Sequence, residues 1–328
     1  MPLNLEYAAD LLKQPYVEPR WAIDEWLVEG ESGLIVGEPK AYKSTLALDM
    51  AVSLATGTPF LGQFETAAVT PVMYIQEENN KSIMMPQLYQ LMERAGIGRQ
   101  AITPVANGDG LDKIWVPNDD AVDPDLYLSI RAGWRANKEE MGEVVNFANE
   151  RGMKYIFIDP LYKVNENSLS NPDDVAPTLG VLSMIENETD ASVVLVHHAN
   201  KGNASGGKRI LGSQLIWAWG ANNIYIEKKS RQGGQKYLYV QREFRGKPEP
   251  DDIEMRFEED FQWDIQQVVL DSGGKSVGGR GSTGYGPFIM KYQSDPVFAG
   301  LTRREQATMF GVSEKTIHNW LAKSGVKS

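Results

Sequence analysis

Short apolar runs alternate with helix-length stretches along the first three-quarters of the chain. Gly33–Val36, Pro71–Gln76, Lys154–Ile158, Ser192–Val196 and Asn223–Ile226 are continuous and rich in β-branched residues, the pattern of strands buried on both faces. Between them, Ser44–Ala55, Lys81–Ala95, Lys138–Arg151 and Val175–Thr189 read as helices. Strand–helix alternation predicts an α/β fold with a mainly parallel sheet covered by helices. Tyr237–Gln241 and Ile253–Phe257 predict a terminal antiparallel pair joined by a turn at Gly246–Pro250. Ile102–Asp125 is rich in Pro, Gly, Asn and Asp and reads as a long irregular surface connection.

The run DSGGKSVGGRGSTGYG at 271–286 has no apolar periodicity and reads as a Gly/Ser-rich linker. It divides the chain into an N-terminal arm (1–30), a main α/β domain (31–270), the linker, and a small all-α domain (287–328). That last segment contains LTRREQATMFGVSEKTIHNWLAKSG, which has a helix–turn–helix rhythm. Leu301, Ala307, Met309, Phe310 and Val312 supply a seam, Gly311 a turn and Ser313 an N-cap. Ile317, Trp320 and Leu321 bury the second helix, whose exposed face shows Glu314, Lys315, Thr316, His318, Asn319 and Lys323.

Composition sharpens this outline. With 42% hydrophobic and 23% charged residues among 328, the chain can bury a sizeable core. No run approaches the roughly 18 apolar residues of a membrane span, and the first residues lack a secretory pattern, so a cytoplasmic protein without membrane contact is expected. Cysteine is absent, which excludes disulfides, thiolate metal sites and a cysteine nucleophile. Three histidines leave little room for a histidine-built metal centre. The net charge of −11 is uneven: residues 275–328 carry +5 and the remainder −16. Sequence-independent contact with nucleic acid is therefore expected at the C-terminus.

The strongest chemical signal is GLIVGEPKAYKSTLALDMA at 33–51. A buried strand ends at Gly37, a loop of Glu38, Pro39, Lys40, Ala41 and Tyr42 follows, and a helix opens at Lys43, Ser44 and Thr45. This is the context of a phosphate-binding loop. Its backbone amides and helix N-terminus would hold the phosphates of ATP. Lys43 would reach the β- and γ-phosphates, Ser44 would ligate Mg²⁺, and Thr45 would touch the α-phosphate. Tyr42 stands where GxxxxGK[ST] has its second glycine, so either the loop is shaped differently or the ring points outward.

Acidic residues close two other strands. Asp159 ends KYIFID and is the candidate for supporting Mg²⁺. Glu77 and Glu78 follow PVMYIQ; Glu78 is the favoured general base, with Glu77 the alternative. His197 and His198 end SVVLVHH, beside the polar Asn200–Gly207 loop, and suggest a sensor of the γ-phosphate.

In this order, GEPKAYKST, TGTPFLGQF, PVMYIQEEN, KYIFIDPL, VVLVHHANKG and VQREFRGKPEP resemble the RecA-like hexameric ATPases. They are most similar to the plasmid RepA-type replicative helicases and more distantly to the DnaB helicases. The resemblance covers roughly Trp21 to Ile265. It implies a RecA-like P-loop core, a homo-oligomer of hexameric type, ATP hydrolysis at subunit interfaces, and DNA as partner. It puts Glu78 at the catalytic glutamate, Asp159 at the Mg²⁺-supporting aspartate and His198 at the end of the sensor strand. It also implies an arginine finger across the interface. Leu211 stands where that arginine is expected, so Arg209 and Lys208 become the candidates, with a basic loop facing DNA the equal alternative. The loop Asn200–Gly207, with Lys201, falls where the family has its pore loop. The C-terminal pattern resembles transposase- and resolvase-type helix–turn–helix modules. Two functions follow: an ATP-dependent, DNA-binding helicase motor, or a non-unwinding ATPase that regulates replication, transposition or mobility of a genetic element.

Overall fold

A computed structural model describes residues 5–104, 111–118, 123–199, 214–231, 234, 236–257, 263–268, 292, 299–309, 317–318 and 321. Its centre is a nine-stranded sheet. Six neighbouring strands are parallel, in the order β10 (Asn222–Ser230), β3 (Gly33–Gly37), β9 (Ser192–His198), β8 (Tyr155–Asp159), β4 (Val72–Gln76) and β7 (Leu126–Ile130). Beyond β10, the strands β11 (Lys236–Phe244), β12 (Asp252–Phe257) and β13 (Trp263–Val268) continue the sheet antiparallel. This is the α/β class expected from the sequence.

The continuous apolar runs are explained by the two cores, one on each face. Ile35, Val194, Val196, Tyr155, Phe157, Val72 and Tyr74 point to the face covered by α2 (Lys43–Thr56) and α3 (Lys81–Arg94). Leu34, Val36, Val193, Leu195, Ile156, Ile158, Met73 and Ile75 point to the other. There they meet α4 (Met141–Arg151), α6 (Pro172–Thr189) and α7 (Gln214–Trp219). Period-2 alternation therefore loads both faces, and neither can be polar. Helix α2 is buried on nearly every side, from Lys43 to Ala55. Even its Asp49 is fully buried, and it is held by a guanidinium–carboxylate pair with Arg94 at the end of α3. A buried charge of this kind is tolerated only because it is paired.

Local signals set the helix starts. The Asn80 side chain accepts the Ile83 amide at 3.2 Å, and the Asn171 side chain accepts the Asp173 amide at 3.1 Å, with Pro172 at the first helical position.

Two regions depart from the sequence reading. Ile102–Asp125 is not an irregular connection: β5 (Gly98–Pro104) and β6 (Leu111–Pro117) form an antiparallel ribbon, and Leu126 then begins β7. The ribbon lies outside the main sheet, so its strands never needed the apolar runs that marked the others. Its Trp115 stacks on Tyr89 of α3 at 5.7 Å. Nor does residue 30 mark where packing starts. The short strands β1 (Trp21–Ile23) and β2 (Leu27–Val28) belong to the first core, and Trp26 is completely buried. The buried Arg242 guanidinium lies 5.0 Å from the Trp26 ring and donates to the Glu25 carbonyl at 3.2 Å. The expected linker, 271–286, lies outside the described residues. Of the C-terminal segment, α8 (Arg303–Met309) is helical, and Ala307, Ile317 and Leu321 are buried.

Glu186 on α6 accepts the Val193 amide at 3.1 Å. Burial pushes its carboxyl up to about 7, against the pull of that amide. Stability from this group is fully present below the ordinary carboxylate range and is lost as pH rises through about 7. Glu186→Gln keeps the acceptor without the charge. Denaturant titrations should show a gain of roughly 1–3 kcal/mol above pH 7 and almost none near pH 4.

Candidate active site

The carboxyl ends of the parallel strands bring the chemical residues to one edge. Gly37 lies opposite His198 on one side and Ile226 on the other, and Gln76 lies opposite Asp159. Strand β9 thus stands between the phosphate-loop strand β3 and the Asp159 strand β8. In open α/β sheets this edge is where ligands bind.

The loop turns through two positive φ angles, at Lys40 (61°) and Tyr42 (56°). Tyr42 takes up the left-handed backbone that a glycine would fill, and its ring stacks on Phe257 of β12 at 4.6 Å. This resolves the anomaly at that position: the backbone keeps the glycine-like turn, and the ring is carried outward. Gly37 is required for a different reason. A Cβ there would meet the Ile226 carbonyl oxygen at 2.7 Å.

Lys43 is nearly buried, and its Nζ donates to the Glu38 carbonyl at 2.8 Å. Burial lowers its pKa to about 8, with Lys228 adding repulsion, while Asp159 and Glu78 pull the other way. Lys228 of β10 donates to the next loop carbonyl, Pro39, at 2.6 Å. Two ammonium groups therefore occupy two successive carbonyls of the loop. Lys40 is exposed, and Ala41 and Thr45 are buried.

Asp159 is buried. Its Oδ2 accepts from Tyr74 Oη at 2.9 Å and from Gln76 Nε2 at 2.7 Å, while Oδ1 has no partner at hydrogen-bond distance. Burial pushes its carboxyl up; Ser44, Tyr74 and Gln76 hold it down. A buried carboxylate oxygen without a partner, beside the Ser44 hydroxyl at a helix N-terminus, fits a Mg²⁺ ion. Among the described residues, no group of three or more His, Asp or Glu could hold a metal by itself. The ion would therefore take its remaining ligands from water and phosphate.

The two glutamates separate cleanly. Glu77 is buried, and its carboxylate accepts the amides of Gly133 at 3.0 Å and Trp134 at 3.2 Å, tying the end of β4 to the loop after β7. Glu78 is exposed, and its charge acts on Lys43, Asp159 and His198. Tyr162 of α5 (Leu161–Val164) hydrogen-bonds Glu78, and its ring lies 5.2 Å from that of His198. His198 is held below its ordinary pKa by burial and then by the Lys43 charge. Its buried Nδ1 has no partner at hydrogen-bond distance. His197 is fully buried in the sheet. Arg209, Lys208, Leu211 and the Asn200–Gly207 loop lie outside the described residues.

Sequence reasoning missed two residues here. Gln76 donates to Asp159 with one end of its amide, and with the other accepts the Glu78 amide at 2.7 Å and the Asn79 amide at 2.9 Å. A single side chain thus fixes the Asp159 carboxylate and the turn that carries Glu78. Tyr162 braces Glu78 from the far side. A polar residue inside an otherwise apolar strand was the signal for Gln76. Tyr162 gave none.

A family of AAA domains matches residues 2–204, a span that includes the phosphate loop, Glu78, Asp159 and His198. The chain belongs to the AAA domain family. It is a P-loop ATPase of the AAA kind, with an α/β core built on a largely parallel sheet. Among solved structures, a KaiC-like protein from the hyperthermophilic archaeon Pyrococcus horikoshii is 11% identical, with 73% of this chain and 90% of that chain covered and a TM-score of 0.46. The family match stops before β10–β13, so the strands that contact the phosphate loop through Lys228 and Phe257 lie beyond it.

Gln76→Ala leaves Asp159 Oδ2 with Tyr74 as donor and strips the part-buried Glu78 and Asn79 amides of their acceptor. Urea unfolding should show a loss of about 1–3 kcal/mol, and ATP turnover per folded molecule should fall.

Proposed function

We propose that this AAA domain protein is an ATP-dependent, DNA-binding motor, a RepA-like helicase that hydrolyses ATP at subunit interfaces. The observation that carries the ATPase chemistry is the meeting of Lys43, Ser44, Asp159 and Glu78 at one sheet edge, with Asp159 Oδ1 buried and unpartnered. The loop Gly37–Tyr42 and the start of α2 bind the phosphates through backbone amides. Lys43 leaves the Glu38 carbonyl for the phosphate oxygens. Ser44 and Asp159 would hold Mg²⁺, which when bound would supply charge neutralisation to the phosphates. Thr45 contacts the α-phosphate. Glu78, braced by Tyr162 and by Gln76 through its own amide, orients the attacking water and takes its proton. His198, with its Nδ1 free of a partner, senses the terminal phosphate. Arg209 of a neighbouring copy supplies charge to the transition state.

DNA enters this reading through charge and resemblance. The segment 275–328 is basic on an otherwise acidic chain, and its helix–turn–helix pattern presents polar side chains suited to phosphates and base edges. The loop Asn200–Gly207 would hold single-stranded backbone. A homo-oligomer, hexameric by resemblance, and a cytoplasmic location go with this function. Among the described residues, no helix is long and apolar enough to cross a membrane. The acidic body, with −16 in residues 1–274, favours a second reading. In it ATP drives assembly on DNA that the tail recognises, with no unwinding, to regulate a genetic element.

Lys43→Ala should abolish nucleotide-dependent activity, and Glu78→Gln should bind ATP but hydrolyse it roughly a hundredfold or more slowly. Colorimetric phosphate release and nucleotide titration check both. Unchanged turnover in Lys43→Ala would remove the phosphate-loop assignment. On a forked duplex, ATP-dependent strand displacement is expected from the motor; ATP-dependent binding without displacement selects the regulator.

A further inference from the structure

The aromatic cluster at the phosphate loop has no part in holding phosphate or metal. Tyr42 stacks on Phe257 at 4.6 Å with the rings 24° apart, and Trp263 meets both edge-on, at 6.0 Å from Tyr42 and 4.9 Å from Phe257. Phe257 ends β12 and Trp263 begins β13, where they pair across the two strands. Both are half-buried against the core that surrounds α2. Tyr42 remains 41% exposed, although it is adjacent in the chain to the nearly buried Lys43.

A polar loop that needs only to turn has no use for a large ring. Its left-handed backbone would be relaxed with glycine, so tyrosine here sits at a conformation that L-residues with a Cβ avoid. The stack on Phe257 holds the ring in one place and leaves part of it open to solvent beside the residue that would bind phosphate. Preordered aromatic surfaces bind planar bases with little further loss of side-chain freedom.

We infer that Tyr42, backed by Phe257 and Trp263, is the platform on which the base of the bound nucleotide stacks. This rests on the phosphate-loop reading above and deepens it. The loop grips the polyphosphate, and the aromatic cluster adds affinity for a nucleoside over bare phosphate. Stacking requires only a π-face, so the platform selects for a base without choosing among purines through hydrogen bonds.

The test is calorimetric titration of the full chain with Mg²⁺–ATP and with Mg²⁺–tripolyphosphate. The wild type should bind ATP about tenfold or more tightly than tripolyphosphate, the scale expected of one stacked base. Tyr42→Gly suits the observed backbone angle, and should bring the ratio of ATP to tripolyphosphate affinity close to one; that ratio, and neither affinity alone, is the readout. Tyr42→Phe keeps the π-face and should match the wild type. Equal weakening of both ligands in Tyr42→Gly would mean that the stack only shapes the loop, and would overturn the inference. So would wild-type protein that binds both ligands alike, an outcome that needs no variant. Wild-type protein that takes up neither ligand would overturn the phosphate-loop reading itself, and this inference with it.

Discussion

A carboxylate buried in the middle of an apolar sheet must be hydrogen-bonded or it will not stay charged, and much of the site follows from how Asp159 meets that demand. Burial alone favours its neutral form. Tyr74 and Gln76, both on the neighbouring strand β4, donate to one oxygen. The other is left without a partner at the N-terminus of α2. The strand pairing that sets Gln76 opposite Asp159 is therefore also what prepares one carboxylate oxygen for a cation. Because the same Gln76 amide accepts the backbone of Glu78 and Asn79, the Glu78 turn is registered against the Asp159 strand. A slip of one residue between β4 and β8 would break both arrangements together.

The phosphate loop is held from the opposite direction. Lys228 and Phe257 come from strands that extend the sheet beyond β3, and they contact the loop at Pro39 and Tyr42. Lys43 and Lys228 sit on adjacent loop carbonyls, so the loop is closed on its own cations. A phosphate ligand would compete with the Glu38 carbonyl for Lys43. The strands beyond β3 thus do more than widen the sheet: parallel β10 and antiparallel β12 hold the loop at Pro39 and Tyr42.

Much of this was legible from residues alone, for a physical reason: strands covered on both faces must be apolar throughout. That requirement marked β3, β4, β8, β9 and β10, and with them the strand ends that carry Gly37, Glu78, Asp159 and His198. The β5–β6 ribbon escaped because it lies off the main sheet and packs through residues such as Trp115 rather than through apolar runs. Trp21–Val28 was read as part of an arm because two very short strands show no periodicity; Trp26 declares its role only by being fully buried.

The sequence by itself determined the α/β class, the phosphate loop and the acidic strand ends, since each depends on neighbours within a few positions along the chain. Only the tertiary structure shows that Glu77 and Glu78 have different surroundings. Their side chains leave the same strand end to different sides, one capped by the Gly133 and Trp134 amides and the other facing Lys43 and Asp159. It alone also decided where the Tyr42 ring goes, because Phe257 and Trp263 are more than two hundred residues away in the chain and reach the loop only through the folding of the sheet. Such contacts depend on strand order, which no local pattern of residues encodes.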